Sequence, residues 1–201
     1  MLEIRDLRTA LVGPIDLSVA AGECVTVQGA SGSGKSLMLR AIVDLDPAEG
    51  NLRLDGASRQ DMPAHIWRQR VALVPAESGW WAERVDEHFE PGATVTALLE
   101  AVGLSGSLHW EVERLSSGER HRLAIVRALA INPVALLLDE PTAMLDDAAT
   151  GRVESLLRQR CARGMALVVV THDADQPERL GARRLWMEKG RLVPWSEEAT
   201  A

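Results

Sequence analysis

Residues 29–36 read Gly29-Ala30-Ser31-Gly32-Ser33-Gly34-Lys35-Ser36 and match the phosphate-loop pattern G-x-x-x-x-G-K-[ST] at every fixed position. An apolar strand, residues 24–28, precedes this loop, and residues 35–45 carry helix formers without an internal proline or glycine. Glycine lets a backbone wrap closely around a phosphate, so that successive N–H groups point inward at the start of a helix. The stretch therefore predicts a nucleotide site, with Lys35 bridging the β- and γ-phosphates and the Ser36 hydroxyl as a Mg²⁺ ligand. The next residue, Leu37, is included among the nucleotide-binding residues.

A second candidate element is the apolar run at residues 134–138, which is followed by Asp139 and Glu140. A buried strand delivers such residues to its carboxyl end, where ligands bind in open α/β sheets. Asp139 can hold Mg²⁺ through water, and Glu140 is placed to polarise the attacking water. In isolation two solvated acids at a strand end would be the plainer interpretation, but the complete phosphate loop favours the catalytic one.

The order of elements predicts an α/β fold with a P-loop NTPase core. Strands at 24–28, 71–74, 134–138 and 166–170 alternate with helical stretches, which indicates a mostly parallel sheet covered on both faces. Short alternating strands near the N-terminus predict an antiparallel β subdomain. Residues of about 76–117 show a weaker pattern and are predicted to form a short helical insertion within a single domain of residues 1–201.

Composition excludes several classes of function. The net charge of −7 argues against a broad nucleic-acid-binding surface, so no nucleic acid is expected as a partner. No apolar run approaches the roughly 20 residues that cross a bilayer, so another chain would have to span a membrane. Cys24 and Cys161 have no metal-ligand spacing and are expected to be buried and reduced.

Three further motifs follow in order along the chain. Residues 115–119, Leu-Ser-Ser-Gly-Glu, resemble the signature LSGGQ; residues 141–146, Pro-Thr-Ala-Met-Leu-Asp, resemble a D-loop; and His172 resembles a switch histidine. With the phosphate loop and the acidic strand, these motifs make nearly the whole chain resemble the ATP-binding subunit (nucleotide-binding domain) of ABC transporters.

The resemblance implies an ATPase that works as a pair of subunits joined head to tail. Each ATP would lie between the phosphate loop of one subunit and the signature residues Ser116, Ser117 and Gly118 of the other. His172 would contact the γ-phosphate within its own subunit, and Asp146 would relay between the two sites. Glu140, His172 and Lys35 would be the catalytic residues, with Ser36 and Asp139 at Mg²⁺.

The implied partners are a second ABC subunit, identical or paired, and an integral membrane permease, at the cytoplasmic, inner face of the cell membrane. Two alternatives stay open. One is an ABC-type ATPase acting on DNA or ribosomes, although the chain has neither heptads nor duplication. The other is a regulatory cassette that binds ATP with impaired coupling.

The chain departs from the family pattern at several positions. Ala76 stands where the family has a glutamine, which puts coupling to the permease in doubt, and Glu77 is adjacent and could reach the metal. The usual early aromatic that stacks on adenine is absent, so Leu11 or Val12 is expected to offer an apolar platform with weaker and less selective base binding. Ser117 replaces a signature glycine, and Glu119 its glutamine.

The sequence leaves two interpretations open for a tryptophan pair in the predicted insertion. Trp80 and Trp81 either form an exposed pair that receives a helix of the membrane partner or fill the core of a small subdomain. Three arginines near the signature, Arg120, Arg122 and Arg127, are predicted to form a solvated helix face.

Overall fold

The computed structural model describes residues 1–89 and 93–196, apart from the side chains of residues 93 and 94. A four-stranded antiparallel sheet at the N-terminal end has the order β2-β1-β4-β5. Its strands are β1 Leu2–Arg8, β2 Ile15–Val19, β4 Glu49–Leu54 and β5 Ala57–Ser58. Apolar residues alternate with polar ones along β1 and β2, so one face of each strand is buried.

The second sheet has six strands in the order β10-β9-β3-β8-β7-β6. Its strands are β3 Cys24–Gln28, β6 Val71–Val74, β7 Ala135–Asp139, β8 Ala166–Val170, β9 Arg183–Glu188 and β10 Arg191–Pro194. The strands from β9 to β6 run parallel, and only β10 is antiparallel to its neighbour. Every residue of β3, β7 and β8 is buried, as expected for strands covered on both faces. The predicted α/β class, with a mostly parallel sheet and an antiparallel subdomain, is confirmed.

The described residues form six α-helices, which cover these sheets. They are α1 Lys35–Ile42, α2 Ala64–Arg70, α3 Ala93–Ala101, α4 Ser117–Ala130, α5 Asp147–Ala162 and α6 Gln176–Leu180. One hydrophobic cluster joins α1 and the antiparallel sheet to one face of the parallel sheet, and a second joins α3, α4 and α5 to the other face. The site described below lies at the carboxyl ends of the central strands, which these two clusters hold in place.

One local prediction is wrong. The first helix ends at Ile42 rather than near residue 45, because Asp44 adopts a left-handed φ of 62°. Strand β4 is internal to its sheet, since β1 and β5 flank it. The cap of α4 is Ser116: the Ser116 hydroxyl accepts a hydrogen bond from the Glu119 N–H, and the Glu119 carboxylate accepts one from the Ser116 N–H.

Between β6 and α4 the described residues contain α3 and three single-turn 3-10 helices, Asp86–His88, Ser107–His109 and Val112–Arg114. The three arginines of α4 do not form a solvated face. Arg120 donates to the carbonyls of Val112 and Glu113, Arg122 donates to that of Val102, and Arg127 donates to that of Gly79. Each guanidinium therefore ties α4 to this segment.

Candidate functional site

The phosphate loop leaves β3 and enters α1 with three glycines in the left-handed region. Their φ angles are 153° at Gly29, 75° at Gly32 and 105° at Gly34. A Cβ at Gly29 would lie 2.3 Å from the Met187 carbonyl oxygen, and one at Gly34 would lie 3.0 Å from the Val12 side chain. The loop therefore requires glycine at both positions, because another residue would strain the backbone and clash with its surroundings.

Lys35 begins α1 and is buried under the loop. Its ammonium donates hydrogen bonds of 2.8 and 2.9 Å to the carbonyl oxygens of Gly29 and Ala30. Burial lowers the pKa of Lys35, and the negative charges of Glu140 and Asp139 oppose that shift. The loop thus holds a cation at its centre, where a phosphate bound to the loop would meet it.

Glu140 follows β7 in an unusual conformation. Its φ of 53° lies in the left-handed region, and its N–H donates a 2.9 Å hydrogen bond to the Val170 carbonyl. A glutamate there is strained by about 1–3 kcal/mol, and such strain clusters at functional sites. The turn fixes the direction in which this carboxylate leaves the sheet.

The carboxylate of Glu140 has the character of a poised base. Burial raises the pKa of Glu140, while the backbone N–H and ring of His172 lower it less. Its Oε2 accepts a 3.3 Å hydrogen bond from the His172 N–H, and its Oε1 is buried without a hydrogen-bond partner among the described residues. The His172 Nε2 lies 3.6 Å from that Oε1, beyond normal hydrogen-bond range. The carboxylate therefore keeps one hydrogen-bond acceptor that no described residue satisfies.

One open cleft of about 290 Å³ brings the predicted residues together. Its lining comprises Ser31, Gly32, Gly34, Lys35, Ser36, Leu37, Ala76, Asp139, Glu140 and His172. The phosphate loop, both acids and the switch histidine thus share a single cavity within one chain. Glu77, the residue that the sequence offered as a substitute near the metal, is exposed and lies outside this lining.

The signature residues lie elsewhere. Ser116 and Ser117 are exposed at the N-terminus of α4, outside the lining of the phosphate-loop cleft. Gly118 packs against the loop of residues 141–146, where a Cβ would come within 2.9 Å of the Met144 carbonyl. Asp146 caps α5, accepting a 2.7 Å hydrogen bond from the Ala149 N–H. None of these residues belongs to the lining of the phosphate-loop cleft.

Of the two residues predicted to offer an apolar platform to the base, only one has an exposed side chain. Val12 is 4% exposed and packs over Gly34, whereas Leu11 is 77% exposed at the tip of the same turn. Leu11 is therefore the side chain that remains free to contact a base.

Trp80 and Trp81 differ in burial, so each matches one of the two interpretations left open by the sequence. Trp80 packs against the core, while Trp81 is 70% exposed, and the Arg127 guanidinium lies 4.8 Å from the ring centre of each. His88 fixes the turn by accepting hydrogen bonds at Nε2 from the N–H groups of Trp81 and Ala82. One tryptophan is thus core and the other is surface.

The sequence analysis did not predict the buried polar cluster that lies beside the cleft. Glu154 of α5 and Gln176 of α6 are both at most 2% exposed, and Arg179 binds the carboxylate of Glu154. Only the spacing of residues along α5 could have pointed to Glu154, which lies one helical turn before the buried Leu157 and so on the same face. The charged residues that surround it in sequence conceal that signal.

The donor set suits a magnesium ion bound together with phosphates. Within residues 1–89 and 93–196 no three His, Cys, Asp or Glu side chains form a metal cage. Mg²⁺ uses one or two carboxylates plus substrate phosphates rather than a complete protein cage, and Asp139 and Ser36 line the same cleft.

None of the helices in the described part of the chain has the length and apolar character of a membrane span.

Comparison with known proteins gives this site a family. Residues 12–143 match the family model described as ABC transporter. The aliphatic sulfonates import ATP-binding protein SsuB 2 of Mesorhizobium japonicum is 39% identical over 197 residues, which cover 92% of this chain and 74% of the relative. The glutamine transport ATP-binding protein GlnQ of Escherichia coli is 33% identical over 202 residues, covering 92% and 84%.

The chain also spans 57% of the length of the Fe(3+) ions import ATP-binding protein FbpC of Streptomyces coelicolor, at 37% identity. Among solved structures, an ATP-binding subunit of an ABC transporter superposes with a TM-score of 0.84 and 25% identity, covering 96% of this chain and 88% of that one. A dimeric ATP-binding cassette in a post-hydrolysis state with ADP and Pi gives a TM-score of 0.78, 25% identity and 96% coverage of both chains. The chain belongs to the ABC transporter family, among its ATP-binding subunits.

Proposed function

We propose that this chain is the ATP-hydrolysing subunit of an ABC transporter and that it works as a Mg²⁺-dependent pair of cassettes. The observation that carries the proposal is the cleft in which a glycine loop faces Asp139 and Glu140. An ABC-type ATPase of DNA or ribosomes has no such specific support. The three relatives named above are all transport or import ATP-binding proteins.

In the proposed reaction, the phosphate loop binds the triphosphate through its backbone N–H groups and the Lys35 ammonium. Glu140 orients the attacking water and accepts its proton as the water oxygen bonds to the γ-phosphorus and the bond from that phosphorus to ADP breaks. His172 holds the Oε2 of this carboxylate through its backbone N–H, and its ring is proposed to contact the γ-phosphate. The two acids are proposed to have separate roles. Asp139 is the last residue of β7, whereas the turn at Glu140 points the Glu140 carboxylate in a different direction.

Ser36 and Asp139 are the residues proposed to hold Mg²⁺, the first through its hydroxyl and the second through water. When bound, this ion would neutralise phosphate charge and polarise the γ-phosphoryl group. Both side chains line the cleft, and neither makes a side-chain hydrogen bond among those found in the described residues that would compete for this role.

The second half of the site is proposed to come from another copy of the chain. Ser116, Ser117 and Gly118 stand at the N-terminus of the 14-residue helix α4, where backbone N–H groups and the helix dipole favour a phosphate. Because Ser116 already caps α4, its hydroxyl would have to be shared between Glu119 and a phosphate. Asp146 likewise caps α5, so its proposed relay function would have to operate from the capped position.

The permease is proposed to dock on a groove of about 390 Å³ beside β6, the outermost strand of the parallel sheet. Exposed Trp81 and Ile131 line this groove together with Arg68 and Arg127. Its occupant would be an amphipathic segment of an integral membrane subunit that offers apolar side chains and a carboxylate. Together with such a partner, the cassette is proposed to lie at the cytoplasmic face of the membrane. A regulatory role is the second candidate, because Ala76 supplies no polar group to the cleft.

The test is phosphate release by the purified chain with ATP, in MgCl₂ and in EDTA. We expect turnover that needs Mg²⁺ and falls at least about 100-fold in Glu140→Gln, which keeps the shape but loses the base. Glu178→Gln, a matched change on an exposed position of α6, should turn over like the wild type. Equal turnover in Glu140→Gln and the wild type would refute the assigned base, and no turnover in the wild type would favour the regulatory candidate.

A further inference from the structure

The buried cluster of Glu154, Gln176 and Arg179 joins two segments that both touch Glu140. One segment is the loop that follows Glu140, and the other is the turn that carries His172. Gln176 is fully buried, and its amide Nε2 donates to the Thr142 hydroxyl at 2.8 Å and to the Glu154 Oε1 at 3.1 Å. Thr142 lies two residues after Glu140, and the intervening turn is closed by the hydrogen bond from the Ala143 N–H to the Glu140 carbonyl.

The other side of the cluster reaches His172. The Arg179 guanidinium binds both carboxylate oxygens of Glu154 at 2.9–3.1 Å and also binds the carboxylate of Asp173. Asp173 directly follows His172, whose N–H holds the Oε2 of Glu140. The Arg179 side chain lowers the pKa of Asp173, and Glu154 and Asp173 raise the pKa of Arg179, so Asp173 and Arg179 are both charged around neutral pH.

The orientation of the Gln176 amide is fixed by charge. Its Oε1 is buried without a hydrogen-bond partner in the described part of the chain. A flipped amide would turn this oxygen toward the carboxylate of Glu154, which only accepts hydrogen bonds. The amide therefore points its two protons at Thr142 and Glu154, and the unsatisfied buried oxygen is the cost of that bridge.

We infer that Gln176, Glu154 and Arg179 form a positioning clamp that sets the Glu140 carboxylate against His172 during ATP hydrolysis. None of the three is a catalytic residue, because each acts through Thr142 or Asp173. The inference rests on the proposed function. It predicts that breaking the bridge lowers the rate of the chemical step and leaves nucleotide affinity intact, because the phosphate loop is held by β3 and α1 and not by the clamp.

The test uses Thr142→Val and Thr142→Ser, which respectively remove and keep the accepting hydroxyl, together with Gln176→Leu, which removes the donor. Thr142→Val and Gln176→Leu should each lower kcat about tenfold, since small misplacements of a catalytic group cost this much or more. The Kd for ATP should stay within about twofold, and Thr142→Ser should restore most of the kcat. The double variant should lose no more than Gln176→Leu alone, because that variant already removes the hydrogen bond to Thr142.

The controls separate a positioning role from a structural one. Gln159→Leu makes the same substitution on an exposed position of α5 and should leave kcat unchanged. A purely structural role would lower the melting temperature of Thr142→Val and Gln176→Leu while kcat per folded molecule stays at the wild-type value, and that result would overturn the clamp. If Gln176→Leu fails to fold, the Thr142 pair alone decides by the same criterion. Wild-type turnover that is lost in Glu140→Gln but kept in Thr142→Val refutes the clamp without touching the proposed function.

Discussion

The phosphate-loop end and the signature end of this chain are built differently. At the phosphate loop, Lys35 and Asp139 are buried, and the backbone at Gly29 has space for hydrogen only. At the signature, Ser116 and Ser117 are exposed and contact little beyond their own helix cap. The phosphate-loop cleft is thus organised by the fold of one chain, whereas the signature surface is proposed to act only with a second chain.

The largest expected effect follows from the crowding at Gly29. Gly29→Ala should weaken ATP binding more than tenfold, because the new methyl group would collide with the Met187 carbonyl and the φ of 153° disfavours alanine. It should also lower the free energy of unfolding by about 1–3 kcal/mol. Titration calorimetry and thermal melts measure both changes. The matched control is Gly151→Ala on α5, where a Cβ meets nothing within 4 Å and should stabilise the helix.

The signature end should respond in the opposite way. Ser117→Glu suits the first turn of α4, since a negative charge there favours the helix dipole, so the fold should be as stable as before. The same charge would repel the phosphates of a nucleotide on the partner, so turnover should fall at least about tenfold. The Kd for ATP of the isolated chain should not change. Weaker binding by the monomer would mean that the signature contacts its own nucleotide and would break the contrast.

Base recognition sharpens the comparison at a smaller scale. Leu11→Tyr should tighten ATP binding about tenfold, because an aromatic platform contributes roughly 1–3 kcal/mol by stacking on a base. With Leu11 in place, we expect ATP and GTP to bind with similar affinity. Fluorescent-nucleotide titration of the wild type and Leu11→Tyr measures both. A wild type that strongly prefers ATP would show that another group reads the base.

The smallest effect concerns the stability cost of Glu140. Burial raises its folded-state pKa above the ordinary value, so the folded state holds its proton to higher pH than the unfolded state does. Stability should therefore fall as pH rises from the ordinary glutamate pKa to the raised one, and the deficit should persist at neutral pH. Glu140→Gln should accordingly raise the melting temperature at pH 7 and have little effect at pH 4. Turnover of the wild type should rise with pH across the same interval, as the carboxylate forms.

The sequence predicted the parts of the molecule that follow from local pattern. Buried strands such as Val71–Val74 and Ala166–Val170 have the predicted bounds, since continuous apolar runs identify strands covered on both faces. The cleft could be predicted from two motifs, the phosphate loop after β3 and the acids after β7, which are the strands on either side of β8. The partners of Arg120 and Arg127 could not be foreseen, because periodicity does not report a distant carbonyl that a long side chain will meet. The burial of Glu154 could not be predicted for the same reason, since burial of a charged side chain depends on its tertiary partners.

The most direct test of the split site mixes two defective chains. Lys35→Ala removes the cation of the phosphate loop and Ser117→Glu blocks the signature, so either variant alone should have almost no turnover. In an equimolar mixture about half of the pairs should be mixed, and each mixed pair should contain one intact site, which predicts roughly a quarter of the wild-type turnover. A mixture no more active than the sum of its two components would contradict the division of the site between two chains.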